Sequence, residues 1–339
     1  MTVSESKLKL LLLWDLLKEK TDEDHSLTTG IICQELHDRY GIFSERKSIY
    51  NDIDTINAFY DYKYINGQAS EEIVKERGNG TNKGYHIEGR YFEPSEIKVL
   101  VNLLRSARGI SALLEKTIID KLCVLVSNHA ADEIKKESVF FRRPKTPEQT
   151  LFYNIEWIEE AIKKDFKVEF QYLHWTVQGD LEPRHNGKRY LVSPWKIVWS
   201  DAYYLLAYDS EKSMMKTYRI DKISKLRITA ESRIGRELYS DIDFTDYTSR
   251  RIAMYGGREE TLTIRCKKEQ MDVFFDYFGK ESLMVIKEDN EYIRIRMIMQ
   301  ISPTFFGWIA SLGNSVEILQ PVVVRQEYMQ YINEIIGMY

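Results

Sequence analysis

Apolar residues recur at helical spacing through the first sixty positions. Leu10, Leu13, Trp14 and Leu17 share one face and predict a helix over 7–20. The acidic run TDEDH ends it. SLTT then offers an N-cap for a second helix over IICQELHDRY, and Gly41 stands where a helix C-terminus favours a left-handed residue. In SERKSIYNDIDTINAFY the stripe is Ile49, Ile53, Ile56 and Tyr60, which leaves Arg46, Lys47, Tyr50, Asn51 and Asp54 on other faces. The period then changes. EEIVKER and KGYHI predict two short strands around the turn GNGTN.

Three helices with a tight link before the third, followed by a hairpin, predict a winged helix-turn-helix. Residues 95–140 read as helices, from SEIKVLVNLLRSA through LLEKTIIDKLCVLVSNHA to DEIKKE, and form a connector. FRRPKTPEQ, with two prolines among charges, marks a boundary near 145. One further helix over 151–164 precedes five short strands, KVEFQYL, KRYLVSPWKIVW, YYLLAYD, MKTYRI and KLRITA, which predict a small antiparallel barrel or curled sheet. From about 258 the order is strand, helix, strand, strand, helix, strand, helix, which predicts a small α+β sandwich.

Composition adds limits to this outline. At 339 residues the chain exceeds one simple core, so an α+β multidomain protein is expected. The densest apolar run, LKLLLLWDLL, is broken by Asp15, is too short for a bilayer span and lacks a signal-peptide cleavage site. A cytoplasmic protein with no membrane partner is therefore expected. Cys33, Cys123 and Cys266 lie far apart without a CxxC pair, which predicts reduced cysteines and no zinc. The net charge of −4 excludes a generally basic nucleic-acid coat and leaves room for a local patch. Residues 1–90 carry 12 Lys and Arg against 16 Asp and Glu, so any basic groups that act there must cluster on one face. The six histidines form no HExxH or HxH pair, and no Walker loop, GxSxG or dinucleotide fingerprint occurs. No enzyme, metal or cofactor is expected.

The densest aromatic stretch is SPWKIVWSDAYYLLAYD, residues 193–209. Trp195, Ile197 and Trp199 alternate with Lys196 and Val198, and Tyr203, Leu205 and Ala207 alternate with Tyr204, Leu206 and Tyr208. Both faces are largely apolar, as for a hairpin packed on two sides, and Trp195, Ile197, Leu205 and Leu206 are expected in the core. Lys188, Arg189, Tyr190 and Ser193 precede the hairpin, and Tyr218, Arg219 and Lys222 follow it. Rings interleaved with cations on a small barrel suit a ligand that carries bases and phosphates.

The run KRYLVSPWKIVWSDAYYLLAYD followed by MMKTYRIDKI resembles the WYL domain of bacterial transcriptional regulators, an Sm-like or SH3-like barrel. The name-giving triplet is Tyr203-Tyr204-Leu205 here, and YRIDKI is similar to the family's F-R-x-D-R-I strand. The front of the chain is similar to the winged helix that precedes such domains. Arg46 to Ile53 follows its R-[KR]-[ST]-I-x-R-D-I pattern, with Asn51 in place of an arginine. FFGWIASLGNSVEILQP, with Trp308, Gly313 and Pro321, resembles the family's ferredoxin-like C-terminal extension.

The resemblance implies a homodimeric regulator with four parts: 1–90 a winged helix-turn-helix, 91–148 a helical connector, 149–235 a WYL ligand-sensing domain, and 236–339 a linker and extension. It implies operator duplex DNA as partner. Arg46 or Lys47 would reach guanine edges, Ser48 and Tyr50 phosphates, and Asn51 adenine, while Lys75, Arg77 and Lys83 would hold the backbone from the wing. At the WYL domain it implies a nucleic-acid-like effector, single-stranded DNA or a nucleotide. Tyr204 and Tyr218 would stack or hydrogen-bond, Arg219 would fork onto a phosphate, and Ser193, Lys188, Arg189 and Lys222 would complete the rim. The competing expectation is an accessory WYL protein that modulates a nucleic-acid-processing effector without operator binding.

Overall fold

The computed structural model describes residues 5–66, 72–78, 83–107, 109–136, 150–240, 242, 247, 249–287 and 289–339. The chain divides into two units, Met1–Pro147 and Glu148–Tyr339.

In the first unit the apolar stripes meet. Helices α1 (Glu5–Lys20), α2 (Thr29–Tyr40) and α3 (Arg46–Ile65) bury Leu13, Leu16, Leu17, Ile32, Leu36, Ile49, Ile53 and Ile56 in one core. Thr28 caps α2 by accepting the Ile31 N–H, and Gly41 ends it at φ 68°, the left-handed conformation that glycine tolerates. A buried lysine ties α1 to α3: Lys9 pairs with Asp52 at 2.8 Å and donates to the Ser48 hydroxyl. The expected hairpin is β2 (Ile73–Arg77) and β3 (Gly84–Glu88), antiparallel with Ile73 opposite Glu88. Of the turn GNGTN, residues 79–82 lie outside the described residues. One strand escapes the sequence pattern. The two residues of β1 (Leu27–Thr28) pair with β3 and make the sheet order β1-β3-β2. Two residues are too few to show an alternation.

Helices α4 (Pro94–Ser106), α5 (Ala112–Cys123) and α6 (Asn128–Lys136) share a smaller core of Ile97, Val101, Ile119, Cys123, Val126, Ala131 and Ile134. The expected boundary FRRPKTPEQ, at 141–149, lies outside the described residues.

The second unit opens with α7 (Leu151–Lys163), followed by β4 (Phe166–Trp175), β5 (Leu181–Pro183), β6 (Arg189–Trp199), β7 (Tyr203–Asp209), β8 (Met214–Arg219) and β9 (Ile223–Ser232). The order is β5-β4-β6-β7-β8, with β9 also paired to β4. β4 thus bonds three neighbours, and the sheet curls about it. Five strands were expected; the additional β5 is again too short to carry a pattern. Leu151, Ile158 and Ala161 of α7 are buried, and its Asn154 amide donates to the carbonyls of Ile220 at 3.4 Å and Ile223 at 2.8 Å.

The aromatic hairpin is β6 and β7. Their register shifts between Pro194 and Lys196, so Trp195 sits in a bulge outside the simple alternation. Leu205 and Leu206 are fully buried, as expected, and Ile197 is only half-buried. The hairpin packs on two sides. Ala202, Tyr204 and Leu206 join Tyr247 and Met254 in a separate cluster.

After the short helix α8 (Arg236–Ser240), the chain forms β10 (Arg258–Lys267), α9 (Met271–Phe278), β11 (Met284–Lys287), β12 (Tyr292–Ile301), α10 (Pro303–Ser311), β13 (Val316–Gln320) and α11 (Val322–Ile336), the order that the pattern predicts. The antiparallel sheet runs β11-β12-β10-β13. One face, with Leu262, Ile264, Cys266, Ile293, Ile295, Met297 and Met299, packs on Phe274, Phe278, Phe305, Ile309 and Val324 of the helices.

Among the described residues no helix is long and apolar enough to cross a membrane. No group of three or more His, Cys, Asp and Glu side chains could hold a metal among them. All three cysteines are free, and burial pushes the Cys266 thiol up to about 11.

Candidate nucleic-acid interface

In the first unit the residues of interest stand on α3. Its buried stripe turns Arg46, Lys47, Tyr50 and Asn51 to the exposed side. No acidic residue occupies its first turn, and no ion pair to Arg46 or Lys47 occurs among the described residues. Cations at a helix N-terminus oppose the macrodipole, so together they concentrate positive potential at one point. Tyr50 is 40% exposed and leans on the buried Tyr85 ring at 6.0 Å. Ser48 differs from its neighbours: half-buried, it accepts from Lys9 and faces the core side of the helix.

The three hairpin cations are all engaged. Lys75 pairs with Glu88, Lys83 with Glu76 at 2.5 Å, and the Arg77 guanidinium donates to the Glu23 carbonyl. Exposed pairs of this kind contribute little and exchange readily for a phosphate.

In the second unit the strands bring together four rings. Phe170 and Tyr172 of β4, Tyr190 of β6 and Tyr218 of β8 lie with centroids 5.3 to 6.4 Å apart. Phe170 and Tyr218 form the buried side, while Tyr172 and Tyr190 are half-buried. Cations cover the two outer rings. Arg184 sits 5.8 Å from the Tyr172 centroid and Lys188 6.0 Å from that of Tyr190. The Tyr172 hydroxyl accepts the Arg219 backbone N–H at 3.1 Å, which places Arg219 at the same edge.

Arg219 is held by a two-point bond to the buried Asp221, Nε to Oδ1 at 3.0 Å and Nη2 to Oδ2 at 2.8 Å. Lys222 is half-buried beside it. Burial first, then the charges of Arg219 and Arg184, push its ammonium below the ordinary lysine range against the opposing pull of Asp221. Only Arg219 bonds Asp221, while Arg184 and Lys222 act at the same edge through their charge.

Three residues expected to touch the ligand are inside. Ser193 is fully buried and its hydroxyl accepts the Ile234 N–H at 2.9 Å. Tyr218 is 5% exposed, too little for a base to stack on it, and its hydroxyl donates to Asp209 at 3.4 Å. Burial, then the Asp209 charge, pushes its phenol upward. Tyr204 is 7% exposed in the second cluster and donates to Asp201 at 3.0 Å. The strand parity explains all three: the chain buries large rings and small hydroxyls where it needs a filled interior. Lys188 and Arg189 are exposed and pair with Glu211 at 2.5 Å and Glu169 at 3.0 Å.

The sequence reading missed Tyr172 and Arg184, and it favours a core place for Tyr190. Tyr172 lies two residues beyond Phe170 in KVEFQYL and so shares its face, a signal that was available. Arg184 follows β5 and reaches the ring only because β5 folds back onto β4, with Arg184 N–H donating to the Tyr172 carbonyl at 2.8 Å.

Residues 154–228, from α7 into β9, match the family model of the WYL domain. Among solved structures, the chain is similar to proteasome accessory factor B/C of Arthrobacter aurescens at 16% identity and a TM-score of 0.29, over 99% of this chain and 49% of that one. It thus spans about half the length of that protein. It is also similar to a CRISPR Cas-related protein at 13% identity and a TM-score of 0.35, over 100% of this chain and 87% of that one. A search among curated proteins finds no match.

Proposed function

We propose that the chain is a ligand-responsive DNA-binding transcriptional regulator whose WYL domain senses a single-stranded nucleic acid or nucleotide. The observation that carries this reading is the meeting of Tyr172 and Tyr190 with Arg184, Arg219 and Lys222 inside the segment that matches the WYL domain. Rings would take bases and the converging cations a phosphate. Lys188 and Arg189 contribute an outer rim, whereas Ser193, Tyr204 and Tyr218 act by holding the strands.

Residues 1–90 serve as a winged helix-turn-helix in this reading, with α3 as the recognition helix. Arg46, Lys47, Tyr50 and Asn51 face the duplex, and Lys75, Arg77 and Lys83 exchange their local partners for phosphates. Ser48 sets the helix through Lys9. Residues 91–148 connect this part to the WYL domain at 149–235, and 236–339 hold a linker and extension. The protein works as a cytoplasmic homodimer on a two-fold operator, and no catalytic role is assigned. The effector acts by binding one arrangement of the paired readers better than another.

The test is a gel shift with the promoter of the protein's own gene, with and without a short oligonucleotide. A sequence-selective shift at physiological salt that the oligonucleotide changes is expected. No selective shift would favour the accessory role.

A further inference from the structure

Helix α11 has two faces. Val324, Tyr328 and Tyr331 pack on the core of the C-terminal sheet. On the opposite side Val322, Gln326, Met329, Asn333 and Ile336 are exposed, the three apolar side chains at 57%, 55% and 64%. These five follow one another at steps of four, three, four and three residues. That mean period of 3.5 keeps a stripe in line with a second helix laid along it, with the apolar three at the d positions of a heptad and the two amides at the a positions.

A face made for water would differ. Charged residues make up 29% of the chain, yet none stands among the five. The charged side chains of α11 lie on its flanks and bond close by. Arg325 pairs with Glu317 at 2.9 Å, Glu327 with Arg258 at 3.2 Å, and Glu334 accepts from the Gln330 amide at 2.9 Å. The stripe between them is neutral and runs the whole helix, 15 residues or about 22 Å.

The order of residues along the stripe selects the partner. Beside an identical helix, parallel and in register, each residue meets its own counterpart. Amide then faces amide at Gln326 and Asn333, and apolar faces apolar at Val322, Met329 and Ile336. In an antiparallel pair the layers join a to d, so each amide would face an apolar side chain and leave its donors and acceptors unmatched. Amides at a positions cost some stability and in return fix register and the number of strands.

We infer that α11 is a dimerisation helix whose stripe pairs, parallel and in register, with the same stripe of a second copy of the chain. The inference rests on the homodimer of the proposed function and states where its copies meet. Two heptads cover less than the roughly 1,200 to 2,000 Å² of a stable interface, so the stripe aligns the copies and other contacts complete the dimer.

The experiment is analytical ultracentrifugation of the full chain, with disulfide trapping beside it. Met329→Glu sets two carboxylates against each other at the centre of the stripe and should weaken self-association at least tenfold. Asn333→Cys brings its Cα within about 6 Å of its counterpart, inside the reach of a disulfide, and mild oxidation should convert most of the chain to a covalent dimer. Glu334→Cys, on the flank, should crosslink no more than the parent, whose three free cysteines set the background. The trapping needs no loss of function and so does not depend on how Met329→Glu folds.

A dimeric parent whose affinity Met329→Glu leaves unchanged would overturn the inference and leave the proposed function standing. Equal crosslinking of Asn333→Cys and Glu334→Cys, or none of Asn333→Cys, would do the same. A parent that sediments as a monomer at micromolar concentration would remove this pairing together with the homodimer.

Discussion

The cations of α3 and those of the curled sheet differ in how they are held. Arg46 and Lys47 stand exposed at a helix start, with no ion pair among the described residues. Arg219 is gripped at two points by a carboxylate that is 4% exposed, and Lys216 is bound 2.5 Å from the buried Asp209. The first pair can be lost without harm to the fold, because nothing in the interior depends on them. The second set is braced by buried carboxylates, so its charges serve the structure. Under the proposed function, a reader of duplex DNA uses exposed surface charges, whereas a sensor of a small ligand needs charges already in place.

The largest effect should come from breaking the curled sheet's own brace. Asp221→Ala leaves Arg219 without its partner beside Arg184 and Lys222, and should cost about 3 to 5 kcal/mol in urea unfolding of the full chain followed by tryptophan fluorescence. A cost no greater than that of a surface substitution would erase the contrast between the regions.

Asp209→Asn comes next. Burial works to raise the Asp209 pKa, but Lys216 and then the backbone N–H groups of Lys212 and Glu211 outweigh it and hold the carboxyl below the ordinary range. A carboxyl depressed in the fold stabilises above its unfolded pKa, and that increment is lost as pH falls through the folded value. The variant should be about 1 to 3 kcal/mol less stable at neutral pH. The gap from the parent should close below about pH 4, as unfolding curves across pH would record.

Arg46→Ala with Lys47→Ala should change stability by less than about 0.5 kcal/mol. With one of the two on a guanine edge and the other left to a phosphate, the same variant should relax operator selectivity and flatten the salt slope of operator binding by about 0.9. An unaltered slope would remove α3 from the interface. The smallest effect belongs to Lys75→Ala, which breaks only an exposed pair with Glu88 and should move stability by no more than about 0.5 kcal/mol.

Much of the architecture was legible in the chain. The stripe Ile49, Ile53, Ile56 fixes which side of α3 is buried, and thereby which residues are outside. The strand–helix order after 258 is recovered in full. The site was less legible. Basic and aromatic residues near the hairpin were identified as a set, yet Ser193, Tyr204 and Tyr218 turned inward and Tyr172 and Arg184 replaced them. Local spacing reports which residues share a face of one strand, and it is silent on which face the finished sheet fills.

The bulge at Trp195 shows the same limit. Two-residue alternation runs unbroken through PWKIVW, but the tryptophan leaves the ladder to stack on Tyr239 at 4.9 Å, under the Arg233 guanidinium at 4.2 Å. Those partners lie some forty residues away, and no local rule selects them. The sequence by itself determined helix, strand and turn, because these follow from the period of apolar side chains and from caps such as Thr28 and Gly41. Tertiary structure alone decided which carboxylate braces which cation and which tyrosines remain within reach of a ligand. Burial and charge pairing are properties of neighbours in space, and those neighbours exist only once β4, β6 and β9 have closed on one another.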